Sequence, residues 1–184
     1  MVRSSLDGLP PLEVPQGYEI RHFVDGDEDA WSRVYAAAFE HEYDPLAFAR
    51  IMASDEAFLP ERIWFAVSSG EPVATASAYC RPATRPGCGM IHYVGVVPEH
   101  RGRGLGRAVT LAALWRMVAE DHKGAWLSTD DHRIAAIRIY LDLGFEPRLV
   151  DEEQRERWRR TLEKVDPALP QAFAAQIGGR VFTD

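Results

Sequence analysis

The sequence predicts an α/β fold on one mixed sheet, and three stretches carry that expectation. Ile63 to Val67 and Pro72 to Tyr79 are strand-type runs joined at the tight turn Ser69-Gly70-Glu71, which makes an antiparallel hairpin. Met90 to Val97 is an apolar strand that turns at Pro98 and passes through a glycine-rich segment into a helical pattern from Leu105. Ala125 to Thr129 reads as a strand after that helix, and a strand-helix-strand connection makes its two strands parallel.

The other elements follow in order. Residues 1–16 hold Gly8, Pro10, Pro11 and Pro15 and little periodicity, so they form an N-terminal arm, either extended over the domain or mobile. Tyr18 to Phe23 alternates as a first strand, and Asp25-Gly-Asp27 opens a helix in which Trp31, Val34, Tyr35, Ala38 and Phe39 recur at core spacing. Glu40 to Asp44 precedes Pro45 and a second helix from Leu46 to about Ser54. Arg81 to Gly89 is a turn-rich excursion. The helix 105–121 is apolar around most of its circumference, as befits a crossover helix against a sheet. Asp130-Asp131 caps a helix 133–143 that stops at Gly144, and Glu146 to Val150 supplies a late strand. Asp151-x-x-Gln154 is a capping signal for a helix bearing Trp158, Leu162 and Val165, supported by Glu153–Arg157 and Glu156–Arg160 pairs; Ala168 to Ile177 adds further helix. The expected organisation is an arm (1–16), a main domain (17–150) and a helical C-terminal extension (151–184) packed on it.

Composition narrows the function classes. With 184 residues the chain supports a single core without disulfides. Cys80 and Cys88 flank a Pro/Gly-rich segment, where pairing across a hairpin and two reduced thiols are both open; the absence of an apolar leader favours reduced thiols and a cytoplasmic location. No run of apolar residues is long enough to cross a membrane. A net charge of −7 argues against nucleic acid as partner, and the arginines around residue 103 stand as a positive island in that acidic background.

Those arginines belong to the most informative stretch, Val94 to Ala108. Arg101 to Arg107 packs three glycines and three arginines into seven residues at the entrance of a helix. Unpaired N–H groups at a helix start, together with glycines that admit close backbone approach, suit a phosphate. Neither G-x-G-x-x-G nor G-x-x-x-x-G-K-[ST] can be written over this loop. It spells R-x-x-G-x-G from Arg101 to Gly106 after V-x-V-x-P, and Ala136 to Phe145 spells A-I-R-I-Y-L-D-L-G-F. In order and separation these two motifs resemble the coenzyme A loop and the late helix of the GNAT (Gcn5-related N-acetyltransferase) superfamily, over roughly Tyr18 to Val150.

The resemblance implies a GNAT-like fold: a central mixed sheet flanked by helices and splayed between its fourth and fifth strands (90–97 and 125–129), with the segment 151–184 as an extra helical piece. It implies acetyl-CoA as co-substrate, bound by Val94, Gly95 and Val96 along the strand and by Arg101, Gly102, Arg103, Gly104, Leu105, Gly106 and Arg107 at the pyrophosphate, largely through backbone. Gly95 is the expected kink point of that strand. Tyr140 falls on the family's general acid; a phenol of ordinary pKa about 10 is a protonated donor at neutral pH. His92, of ordinary pKa about 6.5, sits where some members carry a base. Each also has a packing role open to it. The Glu40–Asp44 cluster borders the acceptor in the family and is otherwise a solvated connection. No metal-ligand spacing appears among the histidines, and neither cysteine has a base beside it in the sequence pattern. The expected reaction is acetyl transfer from acetyl-CoA to a primary amine, small or peptidic, by direct attack; a catalytically inactive acyl-CoA-binding or protein-interaction module is the alternative, and association as a homodimer stays open.

Overall fold

The computed structural model describes residues 1–80 and 87–182, so most of the excursion expected at 81–89 lies outside the described residues. In chain order the elements are β1 (Val2–Arg3), β2 (Glu19–His22), α1 (Glu28–Phe39), a π-helical turn (Ala49–Ala53), a 3-10 turn (Pro60–Arg62), β3 (Ile63–Ser68), β4 (Glu71–Tyr79), β5 (Cys88–Val96), a second 3-10 turn (Pro98–His100), α2 (Leu105–Ala119), β6 (Gly124–Trp126), α3 (Ile134–Asp142), α4 (Gln154–Val165), α5 (Leu169–Ala172) and α6 (Ala174–Gly178). They group into two units, Leu6–Ala125 and Met1–Ser5 with Trp126–Asp184.

In the larger unit the strand order is β6-β5-β4-β3-β2. Strands β2 to β5 pair antiparallel. The N–H groups of Lys123 and Gly124 both donate to Gly87 O, so β6 and β5 start side by side, the parallel arrangement that the crossover through α2 requires. β6 is three residues long against nine in β5, and the strand expected at 125–129 therefore stops at Trp126.

Every residue of β4 from Val73 to Tyr79 is buried. Successive side chains of a strand point to opposite faces, so both faces of the sheet are covered. Phe65 pairs with Thr75, and Thr75 with Gly95, which places these three on one face. A Cβ on Gly95 would lie 2.6 Å from the Ala38 Cβ, so this is the face that α1 covers. A Cβ on Gly89 would instead meet Met117 of α2. The α1 side holds the aromatic core: Phe23 stacks on Phe48 at 4.8 Å and Trp31 on Tyr35 at 5.0 Å, with Met52, Ile63 and Phe65 around them. The expected helix 46–54 is present as the π-helical turn, which buries Met52 against this cluster.

The arm from Leu6 to Gly17 lies along this unit. Leu6 and Leu9 are buried, the Leu6 N–H donates to Lys123 O at 2.8 Å, and the Trp115 indole donates to Pro10 O at 3.1 Å.

In the smaller unit the Met1 ammonium donates to Leu127 O at 2.8 Å and Leu127 N–H returns a bond to Met1 O. The late strand expected at 146–150 is reduced to one bridge, Val2 with Glu146, because the chain leaves for α4. There Asp151 accepts the Gln154 N–H and the Gln154 side chain accepts the Val150 N–H, the reciprocal cap that the sequence signals. Glu156 pairs with Arg160 as expected, whereas Arg157 takes Asp131 in place of Glu153. The helix expected over 168–177 is broken into α5 and α6, and both cysteines are free thiols.

Candidate active site

The turn between β5 and α2 is built to expose backbone donors. Pro98–His100 forms a 3-10 turn, and Gly102 and Gly104 adopt left-handed backbone at φ 76° and 78°. Gly104 is the N-cap of α2 and carries no side chain to satisfy the first turn; the first intrahelical bond is that of Ala108 N–H to Gly104 O. The N–H groups of Leu105, Gly106 and Arg107 are therefore left without helical acceptors. A side chain at Gly102 or Gly104 would meet ample space, so glycine is required there by φ and not by crowding.

Charge reinforces the geometry. Elsewhere in this unit Arg21, Arg33, Arg50, Arg62 and Arg116 are each held by a carboxylate. Arg101 instead donates to Val96 O at 3.2 Å and Ala38 O at 3.5 Å, and Arg103 to Tyr18 Oη at 2.8 Å and Glu99 O at 3.3 Å. Together with Arg107 they have no carboxylate partner among the described residues. Three uncompensated cations at the positive end of a helix dipole repel one another and the dipole, a local cost that a bound polyanion removes. The donor set therefore fits the pyrophosphate of coenzyme A.

Along β5 the structure relocates the expected kink. Thr75 pairs with Gly95 and Ser77 with His92, so β5 carries one extra residue between them, and Tyr93 has φ 49°. The bulge thus sits at Tyr93, not Gly95, whose lack of a Cβ serves contact with Ala38 and Phe39. Beyond the bulge Val97 N–H bonds to Val73 O on β4. By alternation the main-chain groups of Val96 and Val94 face the opposite edge, where Val96 O meets Arg101, and those of Gly95 face β4. His92, half-buried on the α1 face, stacks on Tyr93 at 3.8 Å and meets Tyr79 edge-on at 5.5 Å. Tyr93 also touches Trp31 and Tyr35, and Tyr35 meets the tilted His41 ring at 5.1 Å, so rings run from the bulge to the end of α1. In the Glu40–Asp44 cluster Asp44 is committed to Arg50, and Tyr43 donates to Asp29.

Tyr140 lies in the smaller unit on α3, buried to 6 % exposure with Phe145 edge-on at 6.0 Å. Burial pushes its phenol up to about 12, against a smaller lowering by Arg133, so it is an O–H donor throughout the neutral range. Arg133 itself pairs with Asp130 at 2.9 Å.

A second cluster, unforeseen in the sequence, brings Cys80, Glu120 and His122 within metal-ligating distance of one another. Its charges oppose a cation. Arg62 donates to both Glu120 oxygens and Arg116 adds a bond at 2.6 Å; burial would raise this carboxyl, but the two guanidinium groups outweigh it and bring it down to about 2. Burial pushes the Cys80 thiol up to about 11, so it stays protonated. The cluster is a structural tie.

A bulged strand followed by a cationic, glycine-opened helix start is the arrangement of acyl-CoA-dependent transferases built on a mixed sheet. More narrowly, the chain belongs to the acetyltransferase (GNAT) family, whose model matches residues 27–145. Among curated relatives, a mycothiol acetyltransferase of Pseudarthrobacter chlorophenolicus is 35% identical over 148 residues, covering 74% of this chain and 45% of the relative. One of Kytococcus sedentarius is 33% identical over 161 residues, covering 82% and 52%. The chain thus spans about half the length of the curated relatives it matches. Among solved structures, a GCN5-related N-acetyltransferase from Sphaerobacter thermophilus superposes with a TM-score of 0.60 at 28% identity, covering 78% of this chain and 46% of that one. One from Kribbella flavida gives 0.57 at 26%, covering 79% and 52%.

Proposed function

We propose that this chain is an N-acetyltransferase that moves an acetyl group from acetyl-CoA to a primary amine by direct attack, with no acyl-enzyme intermediate. The observation that carries the reading is the turn Arg101–Arg107, whose first-turn amides lack helical acceptors and whose three guanidinium groups have no carboxylate partner among the described residues. These groups hold the pyrophosphate, while the outward edge at Val94 and Val96 offers main-chain donors and acceptors to the pantetheine amides in the manner of an added strand.

His92 takes the proton of the acceptor ammonium, directly or through water, and so frees the nitrogen lone pair. That pair forms the C–N bond as the carbonyl π electrons move to oxygen, and the nitrogen, now cationic, gives up its second proton to solvent. When they return, the C–S bond breaks and the electron pair leaves on sulfur, where the Tyr140 hydroxyl donates to it. Burial raises the phenol, which keeps Tyr140 protonated and able to donate at neutral pH. Tyr140 acts as the general acid that protonates the departing thiolate, and solvent restores its proton.

Calorimetric titration with acetyl-CoA followed by thiol-release assays on amines tests the reading. The acceptors to try first are the amine acetylated by the relatives named mycothiol acetyltransferase and small primary amines. Micromolar-range binding and amine-dependent thiol release are expected, with Tyr140→Phe slowing turnover roughly a hundredfold at unchanged acetyl-CoA affinity. A folded protein that does not bind acetyl-CoA overturns the assignment; binding without turnover on any amine makes it an acyl-CoA-binding module.

A further inference from the structure

Two hydroxyls on β4 contribute nothing to the core that buries them. Thr75 and Ser77 are fully enclosed, at 0 % exposure, and neither side-chain oxygen has a hydrogen-bond partner among the described residues. They stand two apart on one strand and so share a face, the one that α1 covers. Their partners on β5 are Gly95 and His92, which places one hydroxyl on each side of the bulge at Tyr93. The indole N–H of Trp31, equally buried and without a partner, belongs to a ring 5.6 Å from that of Tyr93. A buried polar atom without a partner costs stability, and valine or alanine would fill the two β4 positions without that cost. Three such atoms round one bulge, beside the imidazole that the reaction uses, call for an explanation outside packing.

We propose that Ser77 and Thr75 are positioning residues for His92: they hold one water molecule against one of its ring nitrogens and so fix its tautomer, an inference that rests on the reading of His92 as the base. A base takes its proton on a bare nitrogen, so the other nitrogen carries the hydrogen and needs an acceptor. Directly opposed residues of an antiparallel pair have Cβ atoms about 5 Å apart, so Ser77 stands beside the imidazole at a separation that one water spans. That water accepts from the imidazole N–H and donates to the two hydroxyl oxygens, a full set of partners for a buried water. Once His92 is an imidazolium the same N–H donates more strongly, so the bond favours the charged form and makes the ring a better base. The titratable groups facing the imidazole are Tyr79 of β4, edge-on, and Tyr93 of β5, stacked, with Tyr35 of α1 behind Tyr93. Their rings hold its plane; the water sets which nitrogen carries the hydrogen.

Imidazole nitrogen NMR of the full chain across pH tests this in the wild type, Ser77→Ala, Thr75→Val and Thr75→Ser, with the His92 signal assigned by its loss in His92→Gln. The wild type is expected to show one tautomer of neutral His92. Ser77→Ala should give a mixture and move the titration of His92 to lower pH, and Thr75→Val should do so to a smaller degree. Thr75→Ser, which keeps the hydroxyl, should retain the wild-type tautomer. Urea unfolding separates this from packing, since Ser77→Ala and Thr75→Val should be as stable as the wild type or more so. In thiol release with an accepted amine, kcat of Ser77→Ala should fall about tenfold at unchanged KM for acetyl-CoA, part of what a positioned base contributes. A mixture of tautomers in the wild type, or a tautomer and titration unchanged in Ser77→Ala, overturns the positioning role and leaves His92 as the base. Loss of stability in both variants with the tautomer intact overturns it too, because the hydroxyls would then be packing groups. Full turnover in His92→Gln overturns the base reading instead, whatever the hydroxyls do to the ring.

Discussion

The two ends of α2 use the same residue type for opposite ends. At its C-terminus Arg62 and Arg116 converge on Glu120, with bonds of 2.6 Å from each. At its N-terminus, among the described residues, Arg101, Arg103 and Arg107 find only carbonyls, a hydroxyl or no partner, and no acidic residue occupies the first turn. In a chain of net charge −7 that contrast is informative, because carboxylates to neutralise the loop were abundant. Where a carboxylate is within reach the guanidinium is part of the architecture. Where none is, and the helix dipole adds to the repulsion, the charge is available to a ligand.

The largest break in this comparison comes from Gly104→Val. At φ 78° a β-branched residue is strained, so the loop shifts and its amides lose their aim. Acetyl-CoA affinity should fall at least about a hundredfold, roughly 2.7 kcal/mol, by calorimetry. Binding within threefold of wild type would refute a backbone cradle.

Next in size is the other end. Glu120→Gln removes the charge from a half-buried network and should lower stability by about 2 kcal/mol in urea unfolding while leaving acetyl-CoA affinity within about twofold. The pH dependence has a definite sign. The folded carboxyl stands near 2 and the ordinary value is 4.5, so the unfolded chain binds more protons between these limits. The wild type's advantage over Glu120→Gln is therefore full above about pH 5 and shrinks as pH falls toward 2. An advantage that persisted unchanged at pH 2 to 3 would mean that packing, not charge, holds this end.

How much of this was legible beforehand follows the same division between local and distant. The loop, its glycines and the start of α2 could be read because the whole device is contiguous from Arg101 to Arg107. The cap of α4 was legible for the same reason. The bulge was assigned to Gly95 because glycine is the usual marker. An aromatic residue at positive φ has no local signature, and only the register of β4 against β5 reveals Tyr93. Glu120 between Arg62 and Arg116, and Tyr18 against His100, join residues far apart in the chain, which no periodicity encodes. Likewise the strands expected at 125–129 and 146–150 have the right composition, but a strand lasts only as long as a neighbour pairs with it.

The smallest effect sharpens the comparison most, since it asks what a single loop charge contributes once the amides are in place. Arg103→Ala keeps Gly102 and Gly104 in their left-handed conformations and removes one of three like charges. It should weaken acetyl-CoA binding about five- to tenfold, an order of magnitude or more less than Gly104→Val. It should also flatten the salt dependence of binding, since an exposed guanidinium acts through a field that salt screens. Stability should stay level or rise slightly, because removing one cation relieves repulsion at the helix start. A loss of stability comparable to that of Glu120→Gln would show that Arg103 is a structural tie like Arg62, and the distinction between the two ends of α2 would collapse.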